Sequence, residues 1–188
     1  MRNLFRTFSV LLAISALQLA AQAPPIQSAL IAVAAIGPYG RFVTGLDREN
    51  FIVLENGIPR PITNFLGLDS PISLAIITAS PLPSLARLSG PDDDLIQTAS
   101  LSGGLRQLIA SKNPRKVIIL ATAVDTRGIP AGIQVVQADP AKLVQVAIEV
   151  RSQYLLRFQP FAPDARVEVI LNQPRGLPIL KPVWKAPF

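Results

Sequence analysis

Hydrophobic positions along the chain fall into runs of strand length rather than long stripes. The clearest is Ile72 to Ile77, inside PISLAIITASPLPS, closed by Pro81 and Pro83. An apolar run without alternation predicts a strand covered on both faces, as in a parallel sheet. A second run, Val117 to Val124 (VIILATAV), has the same character. Between them lie polar residues and a possible helix, Asp92 to Ser111. Strand, helix, strand is the elementary unit of an α/β sheet, and ligands gather just past the carboxyl ends of its strands. Here those ends read Thr78-Ala79-Ser80 and Ala121-Thr122-Ala123.

The pattern before the first run is different. Ala29 to Ile36 predicts a strand, Gly37-Pro38-Tyr39-Gly40 a turn, and Asn50 to Leu54 an alternating strand. Asn56-Gly57 signals a tight hairpin, because both residues tolerate positive φ. The returning piece, Ile58 to Phe65, is confined to a sheet edge by Pro59 and Pro61. After the second run, Asp139-Pro140 opens a helix with Leu143, Val146, Ala147 and Val150 on one face. Tyr154 to Phe158, Arg166 to Leu171 and Pro178 to Trp184 follow as extended pieces. Asp92, Asp93 and Asp94 suit the first turn of a helix, where negative charge meets the positive end of the macrodipole. On a helix they would splay about 100° apart and could not converge on one ion. Gly103-Gly104 weakens that helix by roughly 1 kcal/mol each relative to alanine.

Composition narrows the chemistry. The 188 residues are 49% hydrophobic and contain neither cysteine nor histidine. Disulfides, thiol nucleophiles, imidazole bases and nearly all zinc, copper or haem ligation are therefore ruled out within the chain. The formal charge is +6, but the basic residues are scattered and not interleaved with aromatics, which argues against nucleic acid. Arg2 and Arg6, the apolar Val10 to Ala21 and then Ala21-Gln22-Ala23 before Pro24-Pro25 describe a signal peptide at residues 1–23, cleaved after Ala23. The rival is a retained anchor, but Ser15 and Gln18 interrupt the segment, and it falls short of the roughly 20 residues a span needs. The expected product is secreted or periplasmic, with no membrane span after cleavage.

In this order the pieces resemble secreted bacterial proteins, common in acidobacteria, that are related to the von Willebrand factor A domain. Gly40 to Phe65 (GRFVTGLDRENFIVLENGIPRPITNF) is similar to that family's leading β module, matching at Gly40, Val43, Leu46, Phe51, Glu55 and Gly57. PISLAII and RKVIIL match its two buried strands, and RSQYLLRFQP (Arg151 to Pro160) its closing motif. The resemblance implies an α/β fold: a reduced von Willebrand factor A-like, Rossmann-like sheet with helices, preceded by a small all-β segment. The implied division is 24–69 for the β segment and 70–188 for a truncated A-like domain.

The resemblance also implies a degenerate adhesion site. Where the family's Asp-x-Ser-x-Ser holds magnesium, this chain has Thr78, Ser80 and Leu82. The loop threonine falls near Ala99, beside Thr98, and the family's Thr-Asp-Gly is replaced by Ala121-Thr122-Ala123. Both aspartates are lost. Hydroxyls alone cannot hold magnesium, which dehydrates reluctantly and demands carboxylate charge. Asp125 matches an acidic position just beyond, and could serve a ligand or satisfy its own loop amides. The expected binding positions are thus Thr78, Ser80, Thr98, Thr122 and Asp125, with no metal and no cofactor.

The expected function is a non-catalytic protein-binding or scaffold domain whose partner is another protein at the cell envelope. A purely structural subunit of an envelope assembly is the alternative. A serine hydrolase with a lysine base is the third, resting on Ser80 and Ser111-Lys112, without a nucleophile–base spacing to support it.

Overall fold

The computed structural model describes residues 28–162, 164–173 and 179–184. The segment expected to be a signal peptide lies outside these residues, as does Pro178 at the start of the last extended piece. Within them, three sheets form. The first is antiparallel, in the order β11 (Lys181–Trp184), β1 (Ala29–Ile36), β9 (Tyr154–Phe158), β4 (Ile62–Leu66). The second, also antiparallel, runs β10 (Val167–Leu171), β2 (Phe51–Glu55), β3 (Ile58–Arg60). The third is parallel: β6 (Asp94–Thr98), β5 (Ile72–Ile77), β7 (Arg115–Leu120), β8 (Gln134–Gln137).

The two antiparallel sheets enclose one core. Ile31, Val33 and Ala35 of β1 meet Phe51 and Val53 of β2, Leu156 and Phe158 of β9, and Val169 and Leu171 of β10. Tyr154 sits among the rings of Phe51 and Phe65, with centroids 5.0 and 5.8 Å away. Its buried hydroxyl donates to the Val43 carbonyl at 2.9 Å and accepts from Leu46 N at 3.2 Å, so a polar tip is satisfied inside an apolar layer. The opposite face of β1 is covered too: Leu30 and Ala32 cluster with Leu155 and Leu66. Burial on both sides is why Ala29–Ile36 shows no polar alternation.

The hairpin between β2 and β3 turns at Asn56 (φ 51°) and Gly57 (φ 79°), the pair of positive angles that a type I′ turn requires. Glu55 then pairs with Ile58 next to the turn, which directs Pro59 and Pro61 away from β2. The outer edge of β3 therefore offers no backbone donor from either proline.

In the parallel sheet, all six residues of β5 are buried, and β5 lies between β6 and β7. Helix α1 (Leu101–Ala110) covers one face, where Leu101, Leu105 and Leu108 pack on Ala75, Ile77, Ile118 and Leu120. Helix α2 (Leu143–Arg151) and the turn at 83–88 cover the other, through Leu85, Leu143, Ala147 and Val150. Asp139 caps the entry to α2, its carboxylate accepting from Ala141 N at 2.9 Å.

This arrangement corrects the expected fold class. Eleven strands in three sheets dominate the described residues, two of the sheets are antiparallel, and helix is a minor component. The molecule is mostly β, not a Rossmann-like α/β fold of von Willebrand factor A type. The physical reason lies in the last third of the chain. β9 pairs antiparallel with both β1 and β4, β10 with β2, and β11 with β1, so none of these late strands extends the parallel sheet. The antiparallel layers thus draw strands from both sides of residue 70, and the parallel unit is inserted between β4 and β9.

The expected helix start at Asp92–Asp94 is also corrected. Asp94 opens β6, and α1 begins only after Ser100, whose side chain accepts from Gly103 N at 3.2 Å as the N-cap. Asp93 is drawn instead into a tight turn. Its carboxylate accepts from Gly90 N at 2.6 Å and Ile72 N at 2.9 Å, and pairs with Arg151.

Candidate functional site

The carboxyl ends of the parallel strands form the surface farthest along the chain direction from where this unit joins the antiparallel layers. Past β5 and β6, the backbone is tied first: Thr78 N donates to Thr98 O at 2.9 Å, extending the ladder by one residue. Thr78 and Thr98 are thereby brought side by side. Thr78 Oγ1 donates to the Ser80 carbonyl at 3.1 Å, curling the chain so that Ser80 is exposed. Thr98 Oγ1 accepts from Ser100 N at 3.1 Å, and the Ser100 and Ser102 hydroxyls lie 3.0 Å apart. These hydroxyls stabilise the turns that carry them and the first turn of α1.

Thr122 and Asp125 stand in the exposed loop after β7, with no hydrogen bond joining them to the Thr78–Thr98 pair among the described residues. Asp125 is closed by its neighbour two residues on. Arg127 donates Nε at 2.9 Å and Nη2 at 2.7 Å to Oδ2, and its backbone N at 3.0 Å to Oδ1. Those hydrogen bonds hold the Asp125 carboxyl below the usual carboxylate range, and the arginine correspondingly above its own. Charge at this loop is cancelled locally. Sequence reasoning missed Arg127; the signal was the Asp-x-Arg spacing inside a loop, which suits a bidentate pair closing its own turn.

Among the described residues, no three His, Cys, Asp or Glu side chains come together as metal ligands. Asp93 and Asp94 lie at the amino ends of the sheet instead. Asp94 Oδ2 accepts from Ser111 Oγ at 2.6 Å, Ser73 Oγ at 2.8 Å and Asn113 Nδ2 at 3.3 Å. Donation from Ser111 and then Ser73 keeps its carboxyl below the ordinary range. For Asp93, burial opposes ionisation. The Ile72 amide, Arg151 and the Gly90 amide outweigh it, and the net shift is downward.

The pair considered for hydrolysis is not assembled as a dyad. Ser111 Oγ is held by Asp94 and by Ser73 Oγ at 2.5 Å, and Lys112 is exposed. A different lysine, Lys116, reaches this loop, and it donates to the Ile109 and Ser111 carbonyls rather than to a hydroxyl. Ser80 is at the other end of the sheet.

Two further polar features surround the sandwich and its junction. Glu55, buried, accepts from Phe161 N at 2.7 Å and Ala162 N at 3.1 Å and lies 2.9 Å from Arg60 Nε, pinning the loop after β9 to the hairpin. Arg115 is buried at the base of the parallel sheet, with Nη2 donating to the Val150 carbonyl at 3.0 Å. Burial, reinforced by the charge of Arg151, pulls its guanidinium down to about 10, still protonated at neutral pH. No family model, curated protein or solved structure matches the chain.

Proposed function

We propose that this chain is an exported, non-catalytic protein-binding or scaffold module that works without a bound metal ion, its partner being another protein at the cell envelope. The observation that carries the reading is the state of Asp125. Within 78–82 and 121–128, the segments that leave β5 and β7, it is the one acid, and Arg127 occupies it through both carboxylate oxygens. What these loops present is neutral: Ala79, Ser80 and Pro81 on one side, Thr122, Ala123 and Val124 on the other, all exposed. A mixed hydroxyl and small apolar surface on a rigid parallel sheet suits contact with a complementary protein face better than capture of a charged small molecule.

Calorimetric titration with magnesium, calcium and manganese tests the metal-free part, with only heats of dilution expected. Binding at micromolar affinity or tighter refutes it. For the partner, a photo-crosslinker at Val124 should capture one envelope protein reproducibly, and the same probe at Ile109 on α1 should not. Thr122→Arg should abolish the capture. Equal yields from both positions would count against this surface. Labelling of the pure chain by a fluorophosphonate would instead establish a hydrolase.

A further inference from the structure

We propose that the outer edge of β8 pairs with β8 of a second copy of this chain, antiparallel about a two-fold axis through Val135, joining two parallel sheets into one. The inference goes beyond the loop surface described above and does not depend on it.

The first observation is which peptide groups are free. Ala138 N donates to the Leu120 carbonyl, which continues the β7–β8 ladder. In a strand, peptide groups of alternate residues point to the same side. Gln134 and Val136 thus share the inward direction of Ala138, while Val135 and Gln137 turn N–H and C=O to the outer side. Among the described residues no strand pairs there.

The second observation is that every other sheet edge carries a device against pairing. β3 has Pro59 and Pro61, and β11 has Lys181 and Pro182. β10 is flanked by the exposed Arg166–Glu168 pair, and β4 is irregular between Ile62 and Asn64. β6 opens with the charged, exposed Asp94. Prolines, charges, bulges and covering segments are how proteins blunt open edges. Gln134-Val135-Val136-Gln137 has none of them.

A second copy of the same edge fits as the occupant, because an antiparallel pair can place a two-fold axis between directly opposite residues, and at Val135 those residues have peptide groups that face each other. The two Val135 residues would exchange both N–H···O bonds, and Ile133 would oppose Gln137 of the other copy. Val135 lies in register with Ile118, on the α1 face of the sheet, yet α1 packs over β5, β6 and β7. Its side chain is consequently 36% exposed, and pairing would set two valines against each other where the helix does not reach. The strip is uncharged, so it meets no repulsion from its own copy.

Sedimentation equilibrium of the purified chain across a wide concentration range tests this. The expected result is a twofold rise in mass that Val135→Pro and Val135→Lys both abolish. Proline at 135 removes only an outward donor, so its melting temperature in the dilute limit should match the parent. Hydrogen exchange on the unaltered chain gives a second readout: amides of Val135 and Gln137 should become protected as concentration rises, and that of Ala138 should not change. A monomer at all concentrations, or a dimer that survives both substitutions, overturns the proposal. So does protection at Val135 that appears only with a foreign protein.

Discussion

Asp93 shows how one side chain can serve a junction. It satisfies two backbone amides, including that of the first residue of β5, and it receives Arg151 from the end of α2. Asp93→Ala would leave those amides and a guanidinium without their acceptor, for a loss of about 2–4 kcal/mol in urea unfolding. Its pH signature follows from the direction of the shift. A carboxyl lowered in the folded state, from an ordinary value of 3.8, contributes stability fully present above that value and lost as pH falls through its folded pKa. Asp94 adds in the same direction. The stability gap between the parent and Asp93→Asn should therefore hold at neutral pH and close in acid below 3.8. A gap that is constant through that range would deny Asp93 this role. Nothing in the local pattern revealed it: three adjacent aspartates read as a helix start, and only the fold shows that the Asp93 and Asp94 carboxylates have different sets of donors.

Helix α1 opens with two glycines that do different work. A Cβ on Gly103 would meet only Ser100 and Thr98 at ordinary contact distances of 3.5–3.7 Å, so Gly103→Ala should stabilise by about 0.5–1 kcal/mol through helix propensity. On Gly104 a Cβ would stand 2.9 Å from Ile77 Cδ1 and 3.2 Å from Thr98 Cγ2. Glycine here lets the helix lie close on β5 and β6. Gly104→Val should cost about 1–3 kcal/mol by overpacking, measured by thermal melting against Gly103→Ala in the same buffer. The reading of elements from pattern succeeded where burial or turn chemistry is local: β1, the Asn56-Gly57 hairpin, β5, β7 and the Asp139 cap. It failed at β6, whose five residues are too few to separate a short strand from the first turns of a helix. At the carboxyl ends the family resemblance pointed to the hydroxyl positions but not to Arg127, whose effect depends on a loop folding back on Asp125.

At the level of the whole chain, local pattern is silent on which strand finds which. Tyr154–Phe158 reads as a strand from its residues alone, but nothing in YLLRF says that Leu156 will oppose Ile31 and Phe65. That missing information turned a mostly β molecule into an expected α/β one. The pairing has a direct test. A fragment of residues 28–69 holds β1 to β4 but lacks β9, β10 and β11, the strands that flank or join them. It should show no cooperative unfolding transition by circular dichroism, because a hairpin without further partners is marginal in water. A fragment with a sharp melt would show that the early strands make a core of their own.

The interleaving of early and late strands also sets an order of events. Among the described strands β1 comes first, yet its two neighbours are β9 and β11, the latter ending at Trp184. A ribosome or a translocation pore delivers the chain from the amino end, so β1 must wait with both edges unmet until β9 and β11 have emerged. Meanwhile the parallel unit can close on its own, since its strands and covering helices are consecutive. The antiparallel layers can therefore lock only after β11 has been delivered, well after the parallel unit has had the chance to form.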